Sequence, residues 1–147
     1  MDFKKSSKPK LVLDCRHINP HLFRYKFKYE DGNGARELLQ KGDFIFSYDL
    51  KSAYHHLTFI REHQKYLGFS WRFDGVEKCF VFTVLPFGIS NAGYIFTKVL
   101  REVTKHLSSQ GKTVIMFLDD GLGGERDFDN AQRSSVAIKS QLQDLGF

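Results

Sequence analysis

The stretch that most constrains this chain is an apolar run that ends in two carboxylates and a glycine, within Val114–Gly124. Apolar residues followed at once by turn formers predict a buried strand. The Asp-Gly dipeptide that follows the run is a strong hairpin signal, so we expect two short strands that meet at a tight turn. That turn would carry Asp119 and Asp120 at its tip.

A second strand is predicted at Phe44–Leu50, and it carries another carboxylate, that of Asp49, close to its end. If the two strands are neighbours in one sheet, Asp49, Asp119 and Asp120 converge at one edge. Three carboxylates packed together repel one another unless cations lie between them. Hard divalent ions fit such oxygen ligands, Mg²⁺ first and Mn²⁺ as a substitute. The alternative is that Asp119-Asp120-Gly121 is only a solvated turn.

Chain length and cysteine usage indicate the number of domains and the kind of compartment in which the protein folds. The 147 residues suffice for one domain that buries roughly 70% of its unfolded surface. Cys15 and Cys79 have neither paired nor metal-ligand spacing, which is typical of free thiols in a reducing compartment. The charged N-terminus is not followed by the apolar core of a signal peptide, and no apolar run is long enough to cross a membrane. We expect an intracellular protein without a membrane partner, with cytoplasm and nucleus both open.

Positive charge is concentrated at the N-terminus. Residues 1–28 hold eight basic and two acidic residues, a balance of +6, whereas the chain as a whole has a net charge of +5. Such a segment is typical of nucleic-acid or phosphate binding. A solvated basic face is the alternative.

Periodicity and turn formers predict the remaining elements. Ser90 opens a long helix with an apolar stripe at three- and four-residue steps, and either Asp127 or Asp129 caps a last helix with Ala131, Ile138, Leu142 and Leu145 facing inward. Adjacent His55 and His56 face different ways on a helix and have no third ligand in spacing, so they predict no metal site. The other elements are a strand at Lys10–Asp14, a break at Glu30–Gly34, a helix at Ala35–Lys41 stopped by Gly42, a short helix capped by Ser52, a helical turn at Arg61–Lys65, and strands at Tyr66–Arg72 and Val76–Val84 joined at Asp74-Gly75.

Strands interleaved with helices and hairpins predict an α+β fold, with a mostly antiparallel sheet and helices packed on one face. With the elements placed in this order, the sequence resembles the fingers and palm of a reverse transcriptase. The stretches that carry the resemblance are Lys10–Asn19 (fingers motif), Tyr48–His55 (motif A), Leu85–Ala92 (motif B), Phe117–Asp120 (motif C) and Leu145–Phe147 (start of motif D).

The resemblance implies a division of the chain and a kind of source. Residues 1–42 correspond to part of the fingers, and residues 43–147 to the palm with an inserted fingers hairpin at about 66–84. Tyr48–His55 is similar to the form that LTR retrotransposons use, and Tyr94–Lys98 and Gly121–Gly124 are most similar to DIRS-type, tyrosine-recombinase retroelements. Because the chain stops at the start of motif D, a thumb and an RNase H region are expected downstream in a parent polyprotein. We therefore expect weak or no processive synthesis by the isolated chain.

The resemblance also implies catalytic roles. Asp49 and Asp119 would bind two Mg²⁺ ions, with Asp120 beside them and the Leu50 carbonyl as a further ligand. In such a site one ion lowers the pKa of the primer 3′-hydroxyl, and the other holds the triphosphate and the leaving pyrophosphate. The expected partners are a primed RNA or DNA template and deoxynucleoside triphosphates.

Further residues would bind these substrates. Tyr54 matches the aromatic gate that leaves no room for a 2′-hydroxyl, although a packed helix tyrosine is the alternative. Phe87 and Gly88 match the turn that abuts nucleotide and template, and Lys10 matches the basic residue that pairs with triphosphate. Arg16, which pairs with Asp14 in the fingers motif, and Lys65 would meet nucleic acid; a solvated lysine is the alternative for Lys65. Gly93 departs from the family, which usually has proline there, and should loosen the helix start by about 1 kcal/mol.

Two classes of function follow from these residues. The first is template-directed DNA synthesis by a retroelement polymerase domain. The alternative is an inactive or domesticated remnant that binds nucleic acid or protein without polymerising. An RNA-templated RNA polymerase or a cyclase is disfavoured, because neither needs the Leu85–Gly88 turn beside an aromatic gate.

Overall fold

The computed structural model describes residues 11–29 and 32–147. Within that part of the chain it is an α+β fold, which confirms the class predicted from the sequence. In chain order the elements are α1 (Gly32–Leu38), β1 (Phe44–Asp49), α2 (Arg61–Gln64), β2 (Gly68–Phe73), β3 (Val76–Val81), α3 (Ala92–Ser109), β4 (Val114–Phe117), β5 (Asp120–Glu125) and α4 (Phe128–Asp144). Short 3-10 turns lie at Asn19–His21, Ala53–His56 and Lys65–Leu67.

An antiparallel sheet with the strand order β1-β5-β4 forms the centre of the molecule. One face of this sheet packs against α3 and α4, because alternate residues such as Tyr48 and Met116 point toward the helices. The buried cluster on that face includes Phe96 and Leu107 of α3 and Ile138 of α4. The opposite face of β1 carries Asp49, which is exposed.

Glycines in β5 let aromatic rings lie directly on the sheet. A Cβ atom at Gly121 would overlap the Tyr48 ring, and one at Gly123 would overlap the Phe46 ring. Because each glycine lies opposite its aromatic residue in the register, the rings fill the space that side chains of β5 would take. Glycine is therefore required at both positions by packing.

The β2–β3 hairpin turns at Asp74 and Gly75, as predicted. Both residues have positive φ (48° and 80°), which is the conformation that a two-residue hairpin turn requires. The strands are shorter than predicted, because the first begins at Gly68 after a 3-10 turn and the second ends at Val81. Beyond Val81 the chain leaves the hairpin, and the Phe82 N–H donates to the Leu67 carbonyl at 3.1 Å.

The long helix α3 begins at Ala92 after Asn91 rather than at Ser90. Most of its predicted stripe is buried, but Ile95 and Val99 are 37% and 36% exposed, so the stripe is narrower than predicted. The buried members of the stripe are Ala92, Phe96, Leu100, Val103 and Leu107.

Helix α4 is capped by Asp127, which settles the choice between Asp127 and Asp129. The Asp127 carboxylate accepts a hydrogen bond from the Asn130 N–H at 2.8 Å. Ala131, Ile138 and Leu142 are buried as predicted, but Leu145 is 53% exposed. Phe147 packs there instead, with its ring 6.3 Å from that of Phe96, because a left-handed Gly146 turns the chain back over the helix end.

The N-terminal elements differ most from the prediction. Leu11–Cys15 forms no strand, and its Leu13 N–H donates to the Phe87 carbonyl at 3.1 Å. Helix α1 covers Gly32–Leu38 instead of Ala35–Lys41, so the glycines that predicted a break are helical. Ser52 has a left-handed backbone and makes no side-chain cap. Lys10, Glu30 and Asp31 lie outside the described residues. Among residues 11–29 and 32–147, no helix is both long and apolar enough to cross a membrane.

Candidate active site

Asp49 and Asp120 are directly opposite each other in the β1–β5 register. Residues directly opposite in an antiparallel pair share a face of the sheet. The next pair along is hydrogen-bonded, because the Leu50 N–H donates to the Asp119 carbonyl at 2.8 Å. Since hydrogen-bonded and non-hydrogen-bonded pairs alternate, Asp49 and Asp120 form the type whose side chains lie closer together. The two strands are thus neighbours, which was the condition under which the sequence predicted that the carboxylates converge.

The turn between β4 and β5 lies two residues before the Asp-Gly dipeptide that predicted it. It consists of Leu118 and Asp119, and Leu118 takes a left-handed φ of 52° that is uncommon for a residue with a side chain. Asp120 is the first residue of β5, and Gly121 lies inside the strand against Tyr48. Of the two aspartates, only Asp119 therefore lies at the tip of the hairpin. Asp120 lies on the same face of the sheet as Asp49, directly across from it.

The chemistry of these side chains fits a hard divalent cation. Two carboxylates face each other across strands, and like charges directly opposite destabilise a sheet unless a counter-charge is bound. Within the described ranges, however, no three His, Cys, Asp or Glu side chains are grouped closely enough to hold a metal ion. Asp49 and Asp120 are the pair that the sheet register brings together, and Asp119 adjoins them on the turn.

Tyr54 lies in the same region as these carboxylates. Its ring packs at 5.0 Å from that of Phe87 and 5.2 Å from that of Phe96. Burial raises the pKa of the Tyr54 hydroxyl, and the nearby Tyr29 and Asp119 raise it further. The structure therefore brings Tyr54, Phe87 and Asp119 together.

Gly88 is needed by the chain itself. Its φ is +115°, and a Cβ atom there would overlap the Leu13 carbonyl oxygen. Asn19 clamps the same turn, because its amide donates to the Gly88 carbonyl at 2.9 Å while its oxygen accepts from the Ser90 N–H at 2.9 Å. The close approach that glycine permits is thus to the Leu11–Cys15 segment, which joins the fingers motif to the motif B turn.

The basic residues predicted to meet nucleic acid contact their own neighbours. Arg16 makes a forked ion pair with Asp14, with its Nη2 at 2.6 Å from Oδ2, and these bonds lower the pKa of Asp14 to about 2. The Lys65 ammonium lies 5.1 Å from the centre of the Tyr66 ring. Neither of these contacts links Arg16 or Lys65 to the three carboxylates. Lys10 is outside the part of the chain that the structure describes.

Tyr29 belongs to the site but was missed by the sequence reasoning. Its ring lies 5.5 Å from that of Phe117, the residue that pairs with Asp120 across β4 and β5. A Cβ atom at Gly93 would overlap the Tyr29 hydroxyl and lie 3.6 Å from the Tyr54 hydroxyl. The signal that identifies Tyr29 is the alternation of aromatic and basic residues along Phe23–Tyr29.

That alternating stretch, Phe23–Tyr29, forms a basic–aromatic segment along α3. Two of its aromatic residues pack on Tyr94 of α3: the Tyr25 ring is stacked on that of Tyr94 at 4.4 Å, and the Phe27 ring lies 5.3 Å from it. Arg24 and Lys26 are exposed. Two side chains of the α3 region hold its backbone: Asn91 donates to the Phe23 carbonyl at 2.8 Å and Arg101 to the Lys28 carbonyl at 2.6 Å.

Comparison with known proteins agrees with this geometry. The family model described as reverse transcriptase (RNA-dependent DNA polymerase) matches residues 4–147. The chain is also similar to the retrovirus-related Pol polyprotein from transposon gypsy of Drosophila melanogaster, with 27% identity over 131 residues. That alignment covers 88% of this chain and 12% of the polyprotein, so the chain spans a small part of its relative. Since the family model covers nearly all of the sequence, the chain belongs to the reverse transcriptase (RNA-dependent DNA polymerase) family.

Proposed function

We propose that this chain carries the nucleotidyl-transfer site of a retroelement polymerase, which adds deoxynucleotides to a primer on an RNA or DNA template. The observation that carries the proposal is the direct pairing of Asp49 with Asp120, with Asp119 on the adjoining turn. By family the chain is an RNA-directed DNA polymerase, and such enzymes generally use divalent metal ions. The two-metal mechanism and the role of each residue are part of the proposal.

The carboxylates would hold the ions that the reaction needs. Asp49, Asp119 and Asp120 are the proposed metal ligands, with the Leu50 carbonyl as a further oxygen donor. Divalent ions held there would lower the pKa of the primer hydroxyl and stabilise the leaving pyrophosphate. Ionised carboxylates suit this role because they need only bind metal.

Other side chains would shape the nucleotide site. Tyr54 would lie under the sugar of the incoming nucleotide and exclude a 2′-hydroxyl, and its contact with Phe87 fixes the orientation of its ring. Phe87 and Gly88 form the turn beside the nucleotide, and Asn19 holds that turn in place. Lys10 remains a proposed partner of the triphosphate on sequence grounds alone.

The basic–aromatic segment would hold the nucleic-acid backbone. Arg24 and Lys26 are exposed, so both can reach phosphates, while the contacts of the Tyr25 and Phe27 rings with Tyr94 keep the segment on α3. Arg16 and Lys65 are further proposed contacts. Because phosphate contacts release counterions, binding should weaken steeply with salt.

Single-nucleotide addition tests the catalytic proposal. A labelled DNA primer on an RNA template is incubated with the chain, one deoxynucleoside triphosphate and Mg²⁺ at low salt, so that processivity does not matter. We expect the wild type and the control Asp144→Asn to add the nucleotide. The rate of addition by Asp49→Asn should be lower by at least about 100-fold, because bound metal ions contribute several kcal/mol of transition-state stabilisation. Equal addition by Asp49→Asn and wild type would remove Asp49 from the site.

Fluorescence anisotropy tests whether the basic–aromatic segment binds nucleic acid. Replacing both Arg24 and Lys26 with Gln should weaken binding to a labelled primer–template. It should also reduce the slope of log affinity against log salt by about 1–2, since each lost phosphate contact lowers it by about 0.9. Lys139→Gln, on α4, is the matched control and should leave the slope unchanged.

A second candidate function is a nucleic-acid-binding remnant without chemistry. The observation that favours it is that the described residues contain no group of three metal-binding side chains. The same two assays separate the candidates. Salt-sensitive binding without any Mg²⁺-dependent addition would support the remnant, whereas addition that depends on Asp49 would exclude it.

A further inference from the structure

Gly93 leaves a gap at the start of α3 that another residue fills. A Cβ atom at this position would overlap the Tyr29 hydroxyl, which therefore lies against the first turn of the helix. The overlapping atom is the far end of a side chain, so a larger residue at position 93 would displace Tyr29 and leave the backbone in place. The identity of residue 93 thus determines where the Tyr29 hydroxyl can lie.

Tyr29 and Tyr54 adjoin the same gap. The Tyr54 hydroxyl lies 3.6 Å from the position of that Cβ atom, so the two hydroxyls flank one point of the helix. Tyr54 is held on its other sides by Phe87 and Phe96. Tyr29 is the side chain that borders the hydroxyl end of Tyr54, and the Tyr29 ring also packs on Phe117 beside the carboxylates.

We propose that Tyr29 is a positioning residue that holds the Tyr54 hydroxyl and so sets the discrimination between deoxyribo- and ribonucleotides, with Gly93 providing the space it needs. This inference rests on the proposed function, because it assigns Tyr29 a role only through Tyr54. A gate can exclude a 2′-hydroxyl only if its ring and hydroxyl cannot move away. The Tyr29 hydroxyl lies near the same point of α3 as the Tyr54 hydroxyl, and its half-buried ring is in turn packed against Phe117.

Nucleotide titrations followed by NMR test this inference on the full chain. The six tyrosines are labelled with ¹³C at the ring carbon that bears the hydroxyl, and single Tyr→Phe variants assign their signals. Affinity for dTTP and for UTP, each with Mg²⁺, is then read from the Tyr54 signal. The variants are Tyr29→Phe, Gly93→Ala and the double variant, and Tyr66→Phe is the control for loss of a hydroxyl elsewhere.

We expect the wild type to bind dTTP more tightly than UTP. Tyr29→Phe should reduce that ratio toward 1, because the Tyr54 hydroxyl loses a neighbour that restricts its position. Gly93→Ala should reduce it similarly by displacing Tyr29, with little change in melting temperature. The double variant should match Tyr29→Phe, because phenylalanine lacks the hydroxyl that the added methyl group would overlap. A purely structural role would change the melting temperature and leave the ratio intact.

Two results would overturn the inference, and they differ in what else they affect. If dTTP shifts the Tyr54 signal but the ratio is the same in the wild type, Tyr29→Phe and Gly93→Ala, Tyr29 has no part in discrimination and the proposed function stands. If dTTP with Mg²⁺ leaves the Tyr54 signal unchanged in the wild type, both the inference and the assignment of Tyr54 to the nucleotide site fail. Because Tyr29→Phe keeps the ring on Phe117, it gives a result even if Gly93→Ala does not fold.

Discussion

Asp49 and Asp120 face each other across β1 and β5, one at the last residue of its strand and the other at the first. The strand ends bring them to the same edge of the sheet, next to the turn that carries Asp119. A pair of like charges in such a position weakens the sheet by itself and becomes favourable only with a bound cation. We therefore expect a cation bound by this pair to stabilise the sheet.

We predict that Asp120→Asn changes stability in opposite directions without and with Mg²⁺. Without metal the variant should be more stable by about 0.2–1 kcal/mol, because a like-charge pair is removed. With Mg²⁺ at about a hundredfold excess over its Kd, the free energy of unfolding of the wild type should rise by about 2.7 kcal/mol, whereas that of the variant should not. Urea unfolding with EDTA or with MgCl₂ measures both effects. Asp144→Asn is the control, and an equal Mg²⁺ response in Asp120→Asn and wild type would contradict the prediction.

We predict that Gly121→Ala destabilises the fold by about 1–3 kcal/mol, the usual effect of overpacking. The added methyl group would overlap the Tyr48 ring. That ring cannot easily move, because it is half-buried and its hydroxyl donates to the Met116 sulfur at 3.1 Å. Gly68→Ala is the matched control in β2, since its Cβ atom would make only ordinary contacts, the nearest at 3.7 Å. Urea unfolding compares the two, and equal losses would show that Tyr48 does not restrict residue 121.

The same packing explains why the sequence predicted the hairpin but not its turn. Strand position follows from local patterns, namely apolar runs that end in turn formers, and those patterns located β1, β4 and β5. An Asp-Gly dipeptide ordinarily forms the turn itself. Here Gly121 is held in the strand by Tyr48, so the turn moves to Leu118 and Asp119. That contact joins distant parts of the chain and leaves no local signal.

Long-range packing also accounts for the other differences. Helix α1 forms across glycines because tertiary contacts can override low helix propensity. For Gly93 the sequence predicted a loosened helix start, which stays a prediction, and the structure adds that Gly93 leaves space for Tyr29. The carboxylates and Tyr54 were predictable because each lies in a recognisable motif. Tyr29 was not, because the alternation along Phe23–Tyr29 indicates an aromatic and basic segment, whereas only the fold brings Tyr29 close to Tyr54.

We predict that the Asp14–Arg16 pair contributes to stability above about pH 4, with the contribution lost as pH falls through about 2. The hydrogen bonds from Arg16 lower the pKa of Asp14 from 3.8 to about 2 in the folded chain. A carboxyl whose pKa is depressed by folding stabilises the fold where it is ionised, above its unfolded pKa. Melting temperatures of the wild type and Asp14→Asn should therefore differ at pH 6 and converge near pH 2. Salt should reduce the difference at pH 6, since both side chains are exposed. A difference that is constant with pH would contradict this account.

We predict that the two thiols differ in reactivity and that Cys15 reports on the contact between the fingers motif and the motif B turn. Cys79 is exposed on β3, whereas Cys15 is 2% exposed, and burial raises the pKa of the Cys15 thiol. Since the thiolate is the reactive form, iodoacetamide at pH 8 should alkylate Cys79 first and Cys15 only after unfolding in urea.

A Cβ atom at Gly88 would lie 3.3 Å from the Cys15 sulfur and would overlap the Leu13 carbonyl. Gly88→Ala should therefore force the two segments apart and raise the alkylation rate of Cys15 in the folded chain, while that of Cys79 stays the same. Mass spectrometry of tryptic peptides measures both rates, and equal rates for the two thiols in the native wild type would contradict the packing of Cys15 beneath the turn.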